Sequence, residues 1–120
     1  MINKIKDLLI NTDGFSLDFT TKKSKNINKG FSVSITNNIL LDLKENTIKK
    51  LIGHLEITGL NLCIEPDKLL IGGWKNKNFH YLDLSVIIED KKEALIIAKL
   101  FNQKAIWDFK ECKEVLIKWK

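Results

Sequence analysis

A chain of 120 residues, 44% apolar and 29% charged with a formal net charge of +5, is long enough to bury a core without disulfides or a structural metal. Its longest uninterrupted apolar run, residues 94–98, falls far short of the ~20 residues that span a bilayer, and no repeat of 20–50 residues is present, which excludes a membrane helix and a solenoid. All 20 basic residues are lysine, so the chemistry that needs a guanidinium fork, from bidentate guanine reading to an arginine finger, is disfavoured, while lysine still permits nonspecific phosphate contacts or docking on an acidic protein.

Ile2, Ile5 and Leu9 recur at helical spacing among Lys4, Lys6 and Asp7, predicting a helix over 2–11. Only Leu8 to Ile10 follow the basic start before Asn11, Thr12 and Asp13, too few for a signal-peptide core, so a cytoplasmic protein is expected. After a turn at Asp13-Gly14, the alternations Phe15-Leu17-Phe19 and Phe31-Val33-Ile35 predict two half-buried strands. The connection Thr20 to Gly30 carries Lys22, Lys23, Lys25 and Lys29 without an acid and is longer than a hairpin turn, predicting a mobile basic loop.

A short apolar stretch at 39–43 precedes Asn46 or Thr47, either able to cap a helix that Gly59 would stop. Ile48, Leu51, Ile52 and Leu55 form its apolar stripe, and His54 falls about 100° from the stripe's centre, towards solvent. Leu60 to Ile64 and Leu69 to Trp74 then read as strands joined by a turn at Pro66-Asp67, with Cys63 a small buried hydrophobe in the first. Lys75 to Asn78 turns the chain into a long strand, Phe79 to Ile88. On it His80, Leu82, Leu84, Val86 and Ile88 face one way and Phe79, Tyr81, Asp83, Ser85 and Ile87 the other.

Asp90 and Glu93 have the spacing of a capping box, which starts a helix with a core stripe of Ala94, Ile97, Ala98 and Phe101. Leu95, Ile96 and Leu100 fill most of the remaining surface, predicting burial on several sides or cover by another chain, including a homodimer. Asn102-Gln103 ends it, and Ala105-Trp107-Phe109 and Val115-Ile117-Trp119 alternate as last strands, with Cys112 near the surface between them. The expected architecture is a single α+β domain over 1–120, an antiparallel-rich sheet of five or six strands packed with about three helices.

Strong catalytic signatures such as GxGxxG, GxxxxGK[ST], HExxH and GxSxG are absent, and the two cysteines lie far apart with no histidine at ligand spacing, so neither a cofactor nor a metal is expected. The best chemical candidates are Tyr81, Asp83 and Ser85 on one strand face, with Asp108 on a strand that could lie nearby; two close carboxylates can share a proton or a metal. Against this, a single acid on a strand face ordinarily is solvated or caps backbone amides. Gly72-Gly73-Trp74 could admit a ligand to the backbone or mark a bulge. Trp74, Trp107 and Trp119 could stack bases beside lysines or pack in the core or an interface.

As a linear pattern, Gly14-Phe15, Gly30-Phe31-Ser32-Val33-Ser34, Gly73-Trp74, Tyr81-Leu82-Asp83-Leu84-Ser85, Asp90-x-x-Glu93-Ala94 and Asn102-Gln103-x-Ala105-Ile106-x-Asp108 resembles a family of small bacteriophage and mobile-element proteins, over roughly residues 13–110. Lysine, asparagine and isoleucine, with A/T-rich codons, make 48 of the 120 residues, which fits a low-GC genome. The resemblance implies a setting in the cytoplasm of a bacterial host rather than a mechanism. By analogy of context, the expected function is a non-enzymatic accessory protein that inhibits a host defence system, anti-CRISPR-like, by stoichiometric binding to a host protein or ribonucleoprotein. The contact residues would be Lys22, Lys23, Lys25 and Lys29 of the basic loop, or Leu95, Ile96 and Leu100 of the last helix. The alternatives are a nonspecific nucleic-acid-binding accessory protein and a small hydrolase or nucleotide-binding protein centred on Asp83 and Asp108.

Overall fold

The computed structural model describes residues 1–37, 39–40 and 42–118. Among them, three helices lie on one face of an antiparallel sheet, an α+β fold. The helices are α1 (Ile2–Asn11), α2 (Glu45–Leu60) and α3 (Lys91–Leu100), with one turn of 3-10 helix at Pro66–Lys68. The strands are β1 (Gly14–Asp18), β2 (Phe31–Ser34), β3 (Ile39–Leu40), β4 (Leu69–Asn76), β5 (Phe79–Ile88), β6 (Ala105–Asp108) and β7 (Lys113–Leu116), in the order β1-β4-β5-β2-β6-β7 with β3 also on β5.

The period-two pattern of β5 organises the molecule. Leu82, Leu84 and Val86 join Leu17, Val33, Ile71 and Ile106 of the neighbouring strands in one core, closed by Ile5 and Leu9 of α1, Ile48, Ile52 and Leu55 of α2, and Ala94 and Ala98 of α3. These are the apolar stripes read from the helices, and His54 is exposed as expected. Beside β5, β2 and β3 follow one another along a single edge. Between them, Ile35 still donates to the Leu84 carbonyl, and the Thr36 hydroxyl takes the Leu84 amide at 2.9 Å in place of a backbone carbonyl.

Helix ends follow local chemistry. The Asp90 carboxylate accepts the Glu93 amide at 2.9 Å and starts α3 as predicted. Removing that cap by Asp90→Ala should lower stability by about 1 kcal/mol in denaturant titration; an unchanged midpoint would argue that α3 is held by packing alone. At its other end Asn102 turns left-handed (φ 56°), with Gln103 bonded to the Ala98 carbonyl and Asn102 to that of Lys99, a Schellman closure with asparagine in glycine's usual place. The helix therefore ends before Phe101, which is exposed rather than in the core.

Several expectations are corrected. Leu60 to Ile64 is not a strand: α2 runs through Gly59 to Leu60, and a turn and the 3-10 helix lead into β4. Cys63 in that turn is exposed, as is Cys112. The N-cap of α2 is Lys44, ahead of both Asn46 and Thr47; the Thr47 hydroxyl, and after it the Lys44 amide, hold the Asp42 carboxylate and lower its pKa. Gly59 does not stop the helix but makes room, since a Cβ there would lie 2.5 Å from two ring carbons of Phe19. Gly72 and Gly73 form no bulge, because the β4–β5 register runs unbroken from Leu69↔Val86 to Asn76↔Phe79. Trp107 points away from the core, which receives Ile106 instead. Trp119 and Leu41 lie outside the described residues.

Candidate binding surfaces

The basic loop is folded onto the domain rather than free. Residues 23–25 return along β1, with the Asp18 amide bonded to Lys23 and the Lys25 amide to Ser16. Lys22, left-handed at φ 61°, donates to the Phe19 carbonyl, lies 3.6 Å from Glu56 of α2 and sits over the Phe19 ring. Lys25 reaches both Asp18, at 3.4 Å, and the Asp67 carbonyl, at 2.7 Å. Amides of the turn hold the Asp18 carboxylate, chiefly that of Thr21, so its pKa falls below the usual range. Of the four loop lysines, Lys23 and Lys29 are the exposed ones.

On α3 the predicted contact residues divide. Leu95 is half-buried against the core, whereas Ile96 is 61% and Leu100 75% exposed. Leu100 and Phe101 overhang a groove of about 450 Å³ whose walls include Ile35, Leu62, Ile64 and Ile88, with Lys68 at its side. The groove lies where the turn after α2, missed as a strand in the sequence, passes α3.

The opposite face of the sheet carries no helix among the described residues. Strand parity places Asp83, Ser85, Gly72, Trp74, Tyr81 and Ser34 on it. Trp74 and Tyr81, cross-strand partners, stack at 4.0 Å and 7°. Asp83 is 8% exposed and accepts from the Ser85 hydroxyl at 3.1 Å. Gly72 stands opposite, where a Cβ would lie 2.6 Å from the Asp83 Oδ1. Burial pushes the Asp83 carboxyl up to about 6, against Ser85 and Trp74, whose hydrogen bonds favour the charged form. The Ser34 hydroxyl has one proton, and the Thr36 carbonyl waits for it at 2.7 Å; Ser34 is then best placed as an acceptor from protonated Asp83.

Asp83 and Asp108 do not form a pair. Asp108 has the opposite strand parity, and its carboxylate caps the Lys110 and Glu111 amides of the β6–β7 turn at 3.0 and 3.1 Å. Comparison with protein families, curated proteins and solved structures finds no match to this chain.

Proposed function

We propose that this chain is a phage or mobile-element accessory protein that works by stoichiometric capture of a host protein, inhibiting a defence component, and not by catalysis. The observation that carries the reading is the α3 groove. A folded domain gains nothing from leaving Leu100 in water above an apolar trough, with Ile96 exposed one turn earlier on the same helix, whereas an inserted apolar side chain would remove Leu100 from solvent. Lys68 at the groove and exposed Lys99 beside Leu100 favour a partner segment with acidic flanks.

The test is a tagged pull-down from a low-GC host lysate, with and without nuclease, comparing wild type with Ile96→Lys and Leu100→Lys. Both positions are exposed, so the melting temperature should hold while recovery of one nuclease-resistant protein falls by more than about tenfold, a loss of about 1.4 kcal/mol. Lys23→Glu with Lys29→Glu tests the loop in the same way, leaving the structural Lys22 and Lys25 in place. Capture unaffected by every variant would remove the groove and loop as contact surfaces, and recovery of nucleic acid alone, lost at moderate salt, would replace the reading with the nucleic-acid one.

A further inference from the structure

The two ends of the sheet are finished differently. At one end residues 23–25 return along β1 and take up its outer backbone groups, the Lys25 amide bonding to Ser16 and the Asp18 amide to Lys23. At the other end β7 closes the strand order, and among the described residues no strand pairs with its outer edge. The Ile117 amide turns inward, to the Lys104 carbonyl at 2.9 Å. Antiparallel alternation therefore turns the amides and carbonyls of Glu114, Leu116 and Lys118 outward. All three side chains are exposed, Leu116 at 73%. Glu114 faces the helix-free side opposite Trp107, and Leu116 and Lys118 are in step with it. An unpaired edge that carries an exposed leucine is a template for a further strand.

We infer that β7 pairs antiparallel with β7 of a second copy of the chain, about a two-fold axis at Leu116. The net charge of +5 opposes any self-association, so the choice of occupant rests on the edge itself. Along it stand an acid, a leucine and a lysine at 114, 116 and 118, a set that complements itself when reversed. With Leu116 against Leu116 of the second copy, each Glu114 is opposite a Lys118, and these outward residues exchange backbone hydrogen bonds, an isologous arrangement. Moving the axis one residue to either side sets Leu116 against a charged residue, and moving it to Glu114 opposes two glutamates, so the register is specified. Within one chain these charges are not used: the ion pairs among the described residues are Lys22 with Glu56 and Lys25 with Asp18. One strand against another buries less than the roughly 800 Å² per partner of a standard interface, so the dimer is a weak one that forms with concentration.

Light scattering of wild type at concentrations up to about 1 mM should show the mass rise from 13.8 kDa towards twice that value. Glu114→Lys and Lys118→Glu should each weaken self-association by more than about tenfold. The double variant, which keeps the wild-type net charge, should restore it. Net charge alone predicts otherwise, since Lys118→Glu lowers the repulsion between whole molecules and yet is expected to weaken the dimer. Amide exchange at Leu116 and Lys118 should slow as wild type is concentrated and stay fast in either single variant. Both substituted side chains are exposed, so coinciding melting curves at low concentration verify that the fold survives. A wild type that stays at single-chain mass throughout overturns the inference. So does a dimer that both single variants keep, that the double variant fails to restore, or that Leu100→Lys dissolves in their place.

Discussion

Asp83→Asn is expected to unfold at a higher temperature than wild type at pH 8 and to match it near pH 4. The carboxyl titrates at about 6 in the folded protein against 3.8 in an open chain. A raised acid stabilises while protonated: its contribution is complete below the unfolded value and is lost as pH rises through the folded one. Between pH 4 and 7 wild type should therefore lose about 2–3 kcal/mol, at 1.36 kcal/mol per pKa unit. Asparagine keeps an oxygen for Ser85 and Trp74 and offers an N–H to Ser34, so it holds the cluster without the buried charge. Asp18 and Asp42, both lowered, act with the opposite sign and below this window. Chemical denaturation at several pH values checks the slope, and a flat wild-type profile would mean that Asp83 is solvated.

Two glycines in α2 should respond with opposite signs to alanine. Nothing lies within 4 Å of a Cβ at Gly53, so Gly53→Ala should add the helix-propensity gain of about 0.5–1 kcal/mol. At Gly59 the same methyl meets the Phe19 ring, which the core and Lys22 hold in place. Overpacking there costs about 1–3 kcal/mol and outweighs the propensity gain. The gap between the two variants, about 2 kcal/mol, should appear as a difference of roughly 10 °C in melting temperature. Phe19→Leu should be less harmful in the Gly59→Ala background than alone, the non-additivity of residues in contact.

Features set by neighbours in sequence were legible in it: the stripes of α1 and α2, the Asp90 cap, the alternation of β5. Features set by neighbours in space were not. Gly59 looks like a stop because its reason, Phe19, is 40 residues away in the chain. Leu60 to Ile64 has a strand's composition, but the helix keeps its hydrogen bonds through Leu60 and leaves the rest as a turn. Lys22 and Lys25 of the 20–30 segment read as free charge because Glu56 and the Asp67 carbonyl are remote in sequence. The face holding Asp83 was visible in the β5 pattern. That Gly72 lies opposite it and that Asp108 belongs to the other face required the β4–β5 and β2–β6 registers.

The strand order has a consequence for synthesis. β1 pairs with β4, and β2 with β5, so neither early strand has its main partner until more than 50 further residues have been made. At about 5–20 residues per second, Phe15, Leu17, Phe31 and Val33 wait several seconds unpaired as the chain emerges. The hairpin of β4 and β5 is the first long pair that can close, and it must recruit the older strands to either side. A nascent chain halted before residue 69 would hold α1 and α2 but no lasting sheet, and that is the stage at which a chaperone would find it.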